Sequence, residues 1–418
     1  MFDLKIIKLG FFLGYRQFIR SSIWSNILIV LIMILTFLNL VVVSGLLVGI
    51  VEGAVEANKT HFSGDVIIST LRGKNNIENS HNIMANLDII EGVEKYSARY
   101  TARGFAETGY QERTNFIESP EVVNTTIAGI DVLKEDAVTN LSDLLIEGEY
   151  LEPNDFDQVL IGAMLLRRFL DIDSELLSVL DDVYVGDKIR ITIGNVRREV
   201  TVKGILKSKV DEIDRRIFMT DSQLKGIISS TDMNVNEISV ILNDKKTPEQ
   251  VKQILIDNGF EQNAKIQTFE DAQPRFLDDI RNTMSLLGLI IGSIGLVVAS
   301  ITIFIVIFIN AITRRKYIGI MKGIGIKKEA IELSYIFQSL AYAIIGSAIG
   351  ILALYFILVP YFNANPVNFP FSDGILSAPY NETFLRVGLL IITTAVAGYI
   401  PSRMIIKKNT LDSILGRK

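Results

Sequence analysis

The sequence predicts an α-helical membrane protein with four transmembrane helices in a 1+3 layout, and with a large α+β domain of two lobes between the first helix and the second. Two observations predict this class. Four long apolar stretches lie unevenly along the 418 residues, at 23–50, 284–311, 333–358 and 384–400. At about 1.5 Å of rise per helical residue, each can cross a hydrocarbon core about 30 Å thick. The intervening segment, 51–280, carries 25 Lys and Arg against 41 Asp and Glu, which is typical of a domain outside the bilayer.

The first two apolar stretches contain no charged side chain. A charge at the centre of a bilayer costs about 2.5–3.5 kcal/mol on insertion scales, so its absence favours membrane helices over helices buried in a soluble core. A cleaved signal peptide has an apolar region of only about 7–15 residues. The first stretch is therefore expected to remain as a membrane anchor.

Residues 1–22 precede the first crossing and are predicted to form a cytoplasmic interfacial helix. Lys5, Lys8, Arg16 and Arg20 fall within an arc of about 120° on a helical wheel, and apolar side chains lie near the opposite side. A basic amphipathic helix of this kind lies along the inner surface of a membrane. Simple anchoring is the plainer interpretation of its role.

Charge also predicts the orientation. Segments 1–20, 313–330 and 403–418 together carry 15 basic and 3 acidic residues. Basic residues in short loops resist translocation, so these segments are expected in the cytoplasm. Both termini, the loop at 313–330 and the tail at 401–418 are then cytoplasmic, whereas 51–280 and the loop at 359–383 are extracytoplasmic, in a cell membrane that is the inner membrane if an outer one exists.

The extracytoplasmic domain is predicted to contain a mixed α/β lobe, 51–108 plus 235–280, and an inserted β-rich lobe, 109–234. In the first lobe, Thr247 precedes a helical pattern as its cap, Pro248 stands in the first turn and Gly259 follows as a stop. Strands are expected on either side of this helix and of a second helix near 77–92. The predicted strands of this lobe are 64–70, 96–107, 236–242 and 265–268.

The inserted lobe shows a strand at 159–162, a helix near 163–170 and a hairpin over 187–204 that turns at Gly194-Asn195. After the first lobe, the segment from Asp271 through Asp279 has few helix breakers. One helix is therefore expected to continue from the outer domain into the second crossing, as a stiff lever.

Small residues repeat at four-residue spacing in three of the crossings. In the first crossing they are Gly45, Gly49 and Gly53; Gly288 with Gly292 and Gly346 with Gly350 repeat the pattern in two others. Such spacing lets helices approach closely. Helix packing within the chain is the favoured interpretation, and a dimer seam at Gly45 and Gly49 is the alternative.

Several classes of site are excluded by composition. The chain has no Cys, and its only histidines are His61 and His81, so no thiol catalyst, disulfide or Cys/His zinc site is expected. No phosphate-binding G-x-x-x-x-G-K-[ST] motif is present. We therefore expect no catalytic, metal or cofactor-binding residue, and an acidic exterior argues against a nucleic-acid partner. The charged run at 211–216 is interpreted as a solvated cluster rather than a catalytic site.

The loop between the second and third crossings, TRRKYIGIMKGIGIKKE, is basic at both ends and apolar between them. A topology signal needs only the cations, so apolar residues in a loop indicate that a partner protein covers them. A short helix from about Tyr317 to Gly323, ended by glycines, would present a compact apolar knob. The apolar residues are Tyr317, Ile318, Ile320, Met321 and Ile324.

This loop resembles the R-x-x-E-I-G-I-L-[RK]-A-[LM]-G-A motif of the ABC transporter permeases that include the macrolide exporter, the lipoprotein-releasing permeases of the LolC/LolE type and the FtsX division protein. Tyr317 replaces the usual Glu and Ile326 the usual final Ala. The ending AGYIPSRMIIKKNTLDSI resembles the family's C-terminus, with Thr410 in place of its second proline. The outer-domain passage VGDKIRITIGNVRREVTVKGIL and the 1+3 layout match as well.

The resemblance implies mechanotransmission: a separate ABC ATPase subunit holds the loop as a coupling helix, and its ATP-driven dimerisation moves the helices and then the outer domain. The permease itself would bind no cofactor, and ATP would act through the ATPase. A second permease copy or a paralogue would complete the complex, in contact with membrane lipid. The residues expected at the ATPase contact are Arg314, Tyr317, Ile318, Ile320, Met321, Lys322, Gly323, Ile324 and Gly325.

For the cargo, a length near 400 residues without a fused ATPase, together with the IFQSL sequence after the loop, resembles the lipoprotein-releasing permeases. The expectation is release of lipoproteins or lipid-linked cargo from the outer leaflet, with a lipoprotein or a periplasmic protein as a further partner. Two alternatives are export of small molecules or peptides, as in the macrolide exporters, and FtsX-like signalling to a cell-wall hydrolase without transport.

Overall fold

The computed structural model describes residues 4–110, 121–170, 178–228, 234–273, 275–369 and 372–407. The chain divides into two compact units. The membrane unit is drawn from Met1–Glu52, Phe276–Asn368 and Asp373–Lys418, and the outer unit from Gly53–Arg275 and Phe369–Ser372. Most of the predicted C-terminal tail, including Thr410, lies outside the described residues.

The described residues form the following helices and strands. The helices, in chain order, are α1 Leu4–Ile19, α2 Ile23–Asn58, α3 Ser80–Leu87, α4 Val132–Thr139, α5 Asp211–Asp214, α6 Asp221–Ile228, α7 Pro248–Asp257, α8 Phe269–Ala272, α9 Arg275–Thr313, α10 Arg315–Gly323, α11 Lys328–Ala353, α12 Val359–Ala364 and α13 Tyr380–Ile406. The strands are β1 Val66–Thr70, β2 Val93–Thr108, β3 Glu121–Ile130, β4 Leu145–Gly148, β5 Gln158–Gly162, β6 Lys188–Ile193, β7 Val196–Leu206, β8 Arg216–Thr220, β9 Glu237–Leu242, β10 Ala264–Thr268, β11 Val367–Phe369 and β12 Ser372–Gly374.

Within these residues the four predicted crossings are confirmed as helical segments long and apolar enough to span a membrane: Ile23–Ser63, Leu277–Thr313, Lys328–Ala364 and Tyr380–Ile406. The third segment is not a regular α-helix throughout. It widens into a π-helical turn at Leu354–Leu358 before α12. Pro360, which has no N–H to donate, stands in the first turn of α12 just after it and removes one α-helical hydrogen bond there.

The amphipathic N-terminal segment forms α1, and its small residues face α11. A Cβ added to Gly10 would lie 2.8 Å from Leu333 Cβ, and one added to Gly14 would lie 2.7 Å from the Ser334 carbonyl oxygen. The aromatic ring of Phe11 meets that of Phe337 edge-on, at 5.5 Å between centroids. The packing of α1 therefore uses a glycine face that the distribution of cations did not indicate.

The outer unit is built on one ten-stranded sheet with the order β10-β1-β9-β2-β3-β8-β5-β7-β4, to which β6 adds by pairing with both β2 and β7. Most neighbours are antiparallel, but β3 runs parallel to β8 and β5 parallel to β7. The pairs β2-β3-β8-β5-β7-β6 and back to β2 close a ring of six strands. Closure removes the exposed edges of these strands.

The two strand groups share β2. Its first half, Val93–Arg99, pairs with β9 beside β1 and β10, whereas its second half, Arg99–Thr108, pairs with β3 in the ring. One apolar core extends through both groups, from Val66 and Ile238 to Ile161 and Ile217. The predicted border between the two lobes, at 108/109, therefore lies at the end of β2, a strand whose second half already belongs to the ring.

Local signals in the outer unit were reliable where a short motif determined them. Thr247 caps α7 in a capping box with Gln250, and Pro248 stands in the first turn, as predicted. The hairpin of β6 and β7 turns at Gly194-Asn195, where Gly194 has φ +56°.

Two helix predictions were wrong. Residues 163–170 form two short 3₁₀ turns, Ala163–Leu165 and Arg167–Phe169, because Leu166 between them is extended. The expected continuous helix from Asp271 is interrupted after α8, since Gln273 is extended. Gln273 precedes a proline in the sequence, and residues before proline disfavour the helical conformation.

Candidate functional site

The apolar loop between the second and third crossings folds as α10. It follows α9 with only Arg314 between the two helices. Its C-terminus is a Schellman motif: Gly325 has φ +89°, its N–H donates to the Lys322 carbonyl, and the Ile326 N–H donates to the Met321 carbonyl. A glycine adopts this left-handed conformation without the penalty that a Cβ would bring. The sequence therefore ends α10 and fixes the turn into α11.

One face of α10 is fixed to the membrane unit. Ile318 is 2% exposed and belongs to the apolar core of that unit, which also contains Ile331 and Ile406. Met321 packs against the same core. The Lys322 ammonium donates a hydrogen bond to the Ile406 carbonyl at the end of α13, and burial lowers the pKa of Lys322 below its usual value. These contacts hold α10 in one orientation.

The opposite face of α10 is apolar and exposed. Tyr317, Ile320 and Ile324 are 68%, 45% and 73% exposed. They stand three and four residues apart, so they share one helix face. A Cβ added to Gly323 or Gly325 would meet no atom within 4 Å. This exposed face, Tyr317, Ile320, Gly323, Ile324 and Gly325, is called the α10 outer face below.

The nine residues predicted at the ATPase contact therefore separate into two sets. Five form the α10 outer face, while Ile318, Met321 and Lys322 face the membrane unit. Arg314 is half-buried and occupies the N-cap position of α10. The sequence identified the segment, but the direction of each side chain depends on how α10 packs, which no short motif specifies.

The first-crossing glycines lie against the membrane unit's own outer loop. A Cβ on Gly49 would lie 1.8 Å from the Ile375 carbonyl oxygen, and one on Gly45 would lie 2.5 Å from the Ser377 carbonyl oxygen. The Ser377 N–H donates to the Gly45 carbonyl at 3.1 Å. Gly53 is buried. Gly45 and Gly49 thus contact a segment of the same chain.

The other two glycine pairs bring α9 and α11 against α2. Added Cβ atoms on Gly288 and Gly292 would meet Ser44 and Leu40 of α2 at 2.6–2.7 Å, and those on Gly346 and Gly350 would meet Met33 and Phe37 at 2.4 Å. Each contact leaves no space for a methyl group. Within the membrane unit, α2 is therefore held closely by the helices on both sides of α10.

A charged side chain that no sequence motif marks as functional lies in the fourth crossing. The Arg386 guanidinium donates to the Ser44 hydroxyl of α2 and to the Glu382 carboxylate, both at 2.8 Å. An arginine in a membrane helix is costly unless it is paired. The sequence signal for Arg386 was that it lies inside a stretch predicted to cross the membrane. This contact links α13 to α2.

The charged run at 211–216 is the expected solvated cluster only in part: Asp211 and Arg215 are 66% and 53% exposed and lie 3.4 Å apart, whereas Asp214 and Arg216 are taken up in the fold. Asp214 is buried and accepts hydrogen bonds from the Ser208 N–H and hydroxyl and from the Lys209 N–H. Burial raises the pKa of Asp214, although these donors oppose the shift. Arg216 forms a two-bond pair with Glu237, at 2.8 and 3.0 Å. Asp214 and Arg216 are therefore structural, because their polar atoms are hydrogen-bonded within the fold.

Histidines offer no metal centre in the described part of the chain. His61 Nδ1 lies 2.9 Å from the Thr139 carbonyl oxygen. Among the described residues, no group of three or more His, Asp or Glu side chains is arranged to hold a metal ion.

Two family models match this chain. The MacB-like periplasmic core domain matches residues 28–257, more than half of the chain. The FtsX-like permease C-terminal domain matches residues 289–410, which include α10 and the helices on either side of it.

Curated relatives match parts of the chain. An uncharacterized ABC transporter permease from Methanocaldococcus jannaschii is 23% identical over 277 residues, which cover 65% of each chain. The macrolide export ATP-binding/permease protein MacB of Escherichia coli is 26% identical over 184 residues, 42% of this chain and 27% of that protein. The chain thus spans less than two thirds of the length of these relatives.

Two solved structures match about half of the chain at low TM-scores. The extracellular domain of the ABC-type transporter YknZ from Gram-positive bacteria covers 49% of this chain and 99% of its own, with 13% identity and a TM-score of 0.32. The periplasmic region of MacB from Actinobacillus actinomycetemcomitans covers 52% and 94%, with 13% identity and a TM-score of 0.35.

Proposed function

This chain belongs to the family of proteins with a MacB-like periplasmic core domain and is an ABC transporter permease of the MacB and FtsX type, and from that premise we propose that a separate ATPase subunit drives it by docking on the α10 outer face. It is a multi-pass membrane protein with an extracytoplasmic region. The observation that carries the proposal is that α10 is fixed on one face and exposed and apolar on the other.

Docking explains the chemistry of the α10 outer face. Three large apolar side chains at 45–73% exposure cost free energy in water unless a partner covers them. A compact apolar helix face fits an apolar groove, the usual site for an amphipathic helix on another protein. The flanking lysines, Lys316, Lys327 and Lys328, are exposed and would steer an acidic rim towards the loop.

The orientation follows from the same loop. Six basic residues in 313–330 against one acidic residue favour a cytoplasmic loop. With four crossings, both termini then lie in the cytoplasm and the outer unit lies outside. The ATPase and its ATP are on the cytoplasmic side, so the permease needs no nucleotide of its own.

A path for movement starts at α10. Since α9 ends at Thr313 and α11 begins at Lys328, a displaced α10 displaces both helices. Both are packed on α2 without space for a methyl group at Gly288 and Gly346, so α2 moves with them. Two facing subunits are expected in the complex, a second permease copy or a paralogue, because one helix-docking site engages one ATPase of a dimerising pair.

For the cargo, we propose export of small molecules or peptides. The support is the match to a protein named as a macrolide exporter, which covers 42% of this chain. Release of lipoproteins or lipid-linked cargo, with a lipoprotein or periplasmic partner, stays a prediction from the loop sequence. A cell-wall hydrolase as the bound partner would instead indicate signalling.

The test is co-purification of the permease from its native membrane, followed by identification of its partners by mass spectrometry. The wild-type chain should bring down an ABC ATPase. Ile320→Asp combined with Gly323→Asp should release it while the permease remains inserted. Leu133→Asp is the matched control, because Leu133 is an exposed apolar residue of α4 in the outer unit. Retention of the ATPase by the double variant contradicts the proposed docking face.

A further inference from the structure

The end of α2 is held by a buried polar cluster in the outer unit. From Gly53 onwards α2 belongs to that unit. Beyond Asn58 the helix does not simply stop but widens into a π-helical turn, Lys59–Ser63. Short π-helical turns are rare and occur frequently at functional sites. This turn presents both the carbonyl and the ring of Phe62 to the sheet.

The Phe62 peptide carbonyl accepts two hydrogen bonds, from Arg99 Nη2 at 2.9 Å and from the Ser239 hydroxyl at 2.7 Å. The Phe62 ring lies near two guanidinium groups, with centroid distances of 4.8 Å to Arg99 and 5.0 Å to Arg216. Cation–π attraction strengthens when the cation is removed from water. Phe62 is therefore bound through its backbone and its side chain together.

Arg99 is itself immobilised by Glu135. Its Nε and Nη2 atoms lie 2.9 and 2.8 Å from Glu135 Oε1, and both side chains are 1% exposed. Glu135 also accepts from the Ser97 hydroxyl at 2.7 Å and the Thr139 hydroxyl at 3.2 Å. A buried charge persists only when paired and hydrogen-bonded. The pair thus has one geometry available to it.

Residues from several strands and from α4 converge on Phe62, in the turn that follows α2. Arg99 stands on β2, the strand that both strand groups share; Glu135 stands on α4, Arg216 on β8 and Ser239 on β9. Glu237 of β9 pairs with Arg216 and lies 3.6 Å from Arg99 Nη1. These five residues, with Phe62, are called the Phe62 joint: Phe62, Arg99, Glu135, Arg216, Glu237 and Ser239.

We propose that Arg99 and Glu135 are positioning residues for transport, which make the Phe62 joint a rigid connection through which movement of α2 reaches the sheet. The inference rests on the proposed function, since it assumes that α2 is moved. Apolar packing alone would hold Phe62 in contact but permit sliding, because the hydrophobic effect has no direction. A forked guanidinium bonded to a carboxylate and to a carbonyl fixes both position and rotation.

The chain has no Cys, so spin labels attached to two introduced cysteines report from the chosen positions without background. One label replaces Glu56 near the end of α2, and the other replaces Asp244 after β9; both positions are exposed. The distance between them is measured by electron–electron double resonance, in full-length permease purified with its ATPase and diluted with unlabelled permease. Spectra are recorded without nucleotide and with a non-hydrolysable ATP analogue.

The decisive variant is Arg99→Met combined with Glu135→Leu, which removes the fork without leaving a buried charge. The matched control is Arg168→Met with Glu147→Leu. That pair also joins its guanidinium and carboxylate through two hydrogen bonds, at 2.9 and 2.7 Å, but it is partly exposed, at 26% and 37%. Arg99→Lys is the second variant: it keeps a charge for Glu135 and cannot form the fork, so it tests the joint even if the double variant does not fold.

Wild type and control should each give a single narrow distance in both nucleotide states. The double variant and Arg99→Lys should lose that narrow distance, while the ATPase stays bound and hydrolyses ATP. A narrow distance distribution in either variant, or a broad distribution in wild type, would contradict the proposal that the Phe62 joint is rigid. Absence of an ATPase from the wild-type sample instead contradicts the proposed function, so the two failures are distinguishable.

Discussion

The close approach of α2 to the outer loop of the membrane unit predicts that Gly49→Ala destabilises the permease. A Cβ on Gly49 would lie 1.8 Å from the Ile375 carbonyl oxygen and 2.8 Å from its carbonyl carbon. Ordinary contact for a Cβ begins at 3.4 Å, so the two backbones must separate by about 1.6 Å, the difference between those distances. Both partners are backbone atoms, so no side-chain rotation can relieve the clash.

Two routes to relief give a similar cost. Accommodating an extra methyl group in a packed site costs about 1–3 kcal/mol. If the loop instead lifts away, it loses the hydrogen bond from Ser377 N–H to the Gly45 carbonyl, worth about 0.5–1.5 kcal/mol, and part of the burial of Leu376, a side chain worth about 1.5–3 kcal/mol when fully buried. The free energy of unfolding should therefore fall by about 1–3 kcal/mol.

The assay is equilibrium or thermal unfolding of the purified permease in one detergent. The matched control is Gly388→Ala on α13, because a Cβ there meets no atom within 4 Å and alanine favours a helix over glycine by about 1 kcal/mol. Equal stability of the two variants would refute the packing argument. If Gly49 formed a seam between copies, Gly49→Ala would change the number of chains per complex, measured by native mass spectrometry, and leave the unfolding of a single chain unchanged.

Three further predictions concern the outer unit. Arg99→Met should lower the free energy of unfolding by about 3–5 kcal/mol, because it leaves the buried Glu135 carboxylate unpaired. Arg168→Met, which breaks a partly exposed pair, should lower it by only about 0–1 kcal/mol. Denaturant unfolding of the full chain compares the two variants, and similar losses would contradict the burial argument. Burial raises the pKa of Glu237, but the nearby guanidinium groups outweigh burial and hold that pKa below its ordinary 4.5. The resulting stabilisation is present above pH 4.5 and is lost as the pH falls through the folded-state pKa. Glu237→Gln should therefore lose less stability than wild type on acidification, and parallel curves of stability against pH would contradict this prediction. Thr247→Ala removes the capping box of α7 and should cost about 1 kcal/mol; an unchanged unfolding midpoint would show that the cap is dispensable.

The sequence predicted features that depend on a few neighbouring residues. Four crossings follow from uninterrupted apolar stretches, the start of α7 from Thr247 and Pro248, and the β6-β7 turn from Gly194-Asn195. In each case the physical cause, hydrophobic transfer or a local dihedral preference, acts within one element. The segment that forms α10 was identifiable for the same reason, because its apolar residues stand between cations.

Features that depend on pairing between distant segments were not predictable. The closure of the strand ring through β6, and the sharing of β2 by both strand groups, are decided by contacts far apart in sequence. Arg99 sits in an alternating strand pattern that gives no sign of burial, and its partner Glu135 is on α4. The expectation of a solvated run at 211–216 failed similarly for Arg216, because its partner Glu237 is remote in sequence.

The sequence could predict the segment that forms α10, but it could not predict the directions of the side chains on that helix. Sequence placed Ile318 and Ile320 in one apolar knob, yet Ile318 is buried in the membrane unit and Ile320 is exposed. Two residues apart on a helix face nearly opposite directions, so only the packing of α10 decides which of them a partner can reach.

The most direct measurement of the docking claim is photo-crosslinking from single positions of α10 in native membranes. A photoreactive amino acid at Tyr317, Ile320 or Ile324 should form an adduct with an ABC ATPase, and one at Ile318, which faces the membrane unit, should not. Adducts from the three exposed positions with lipid or extracytoplasmic proteins alone, or an equal ATPase yield from Ile318, would contradict the account.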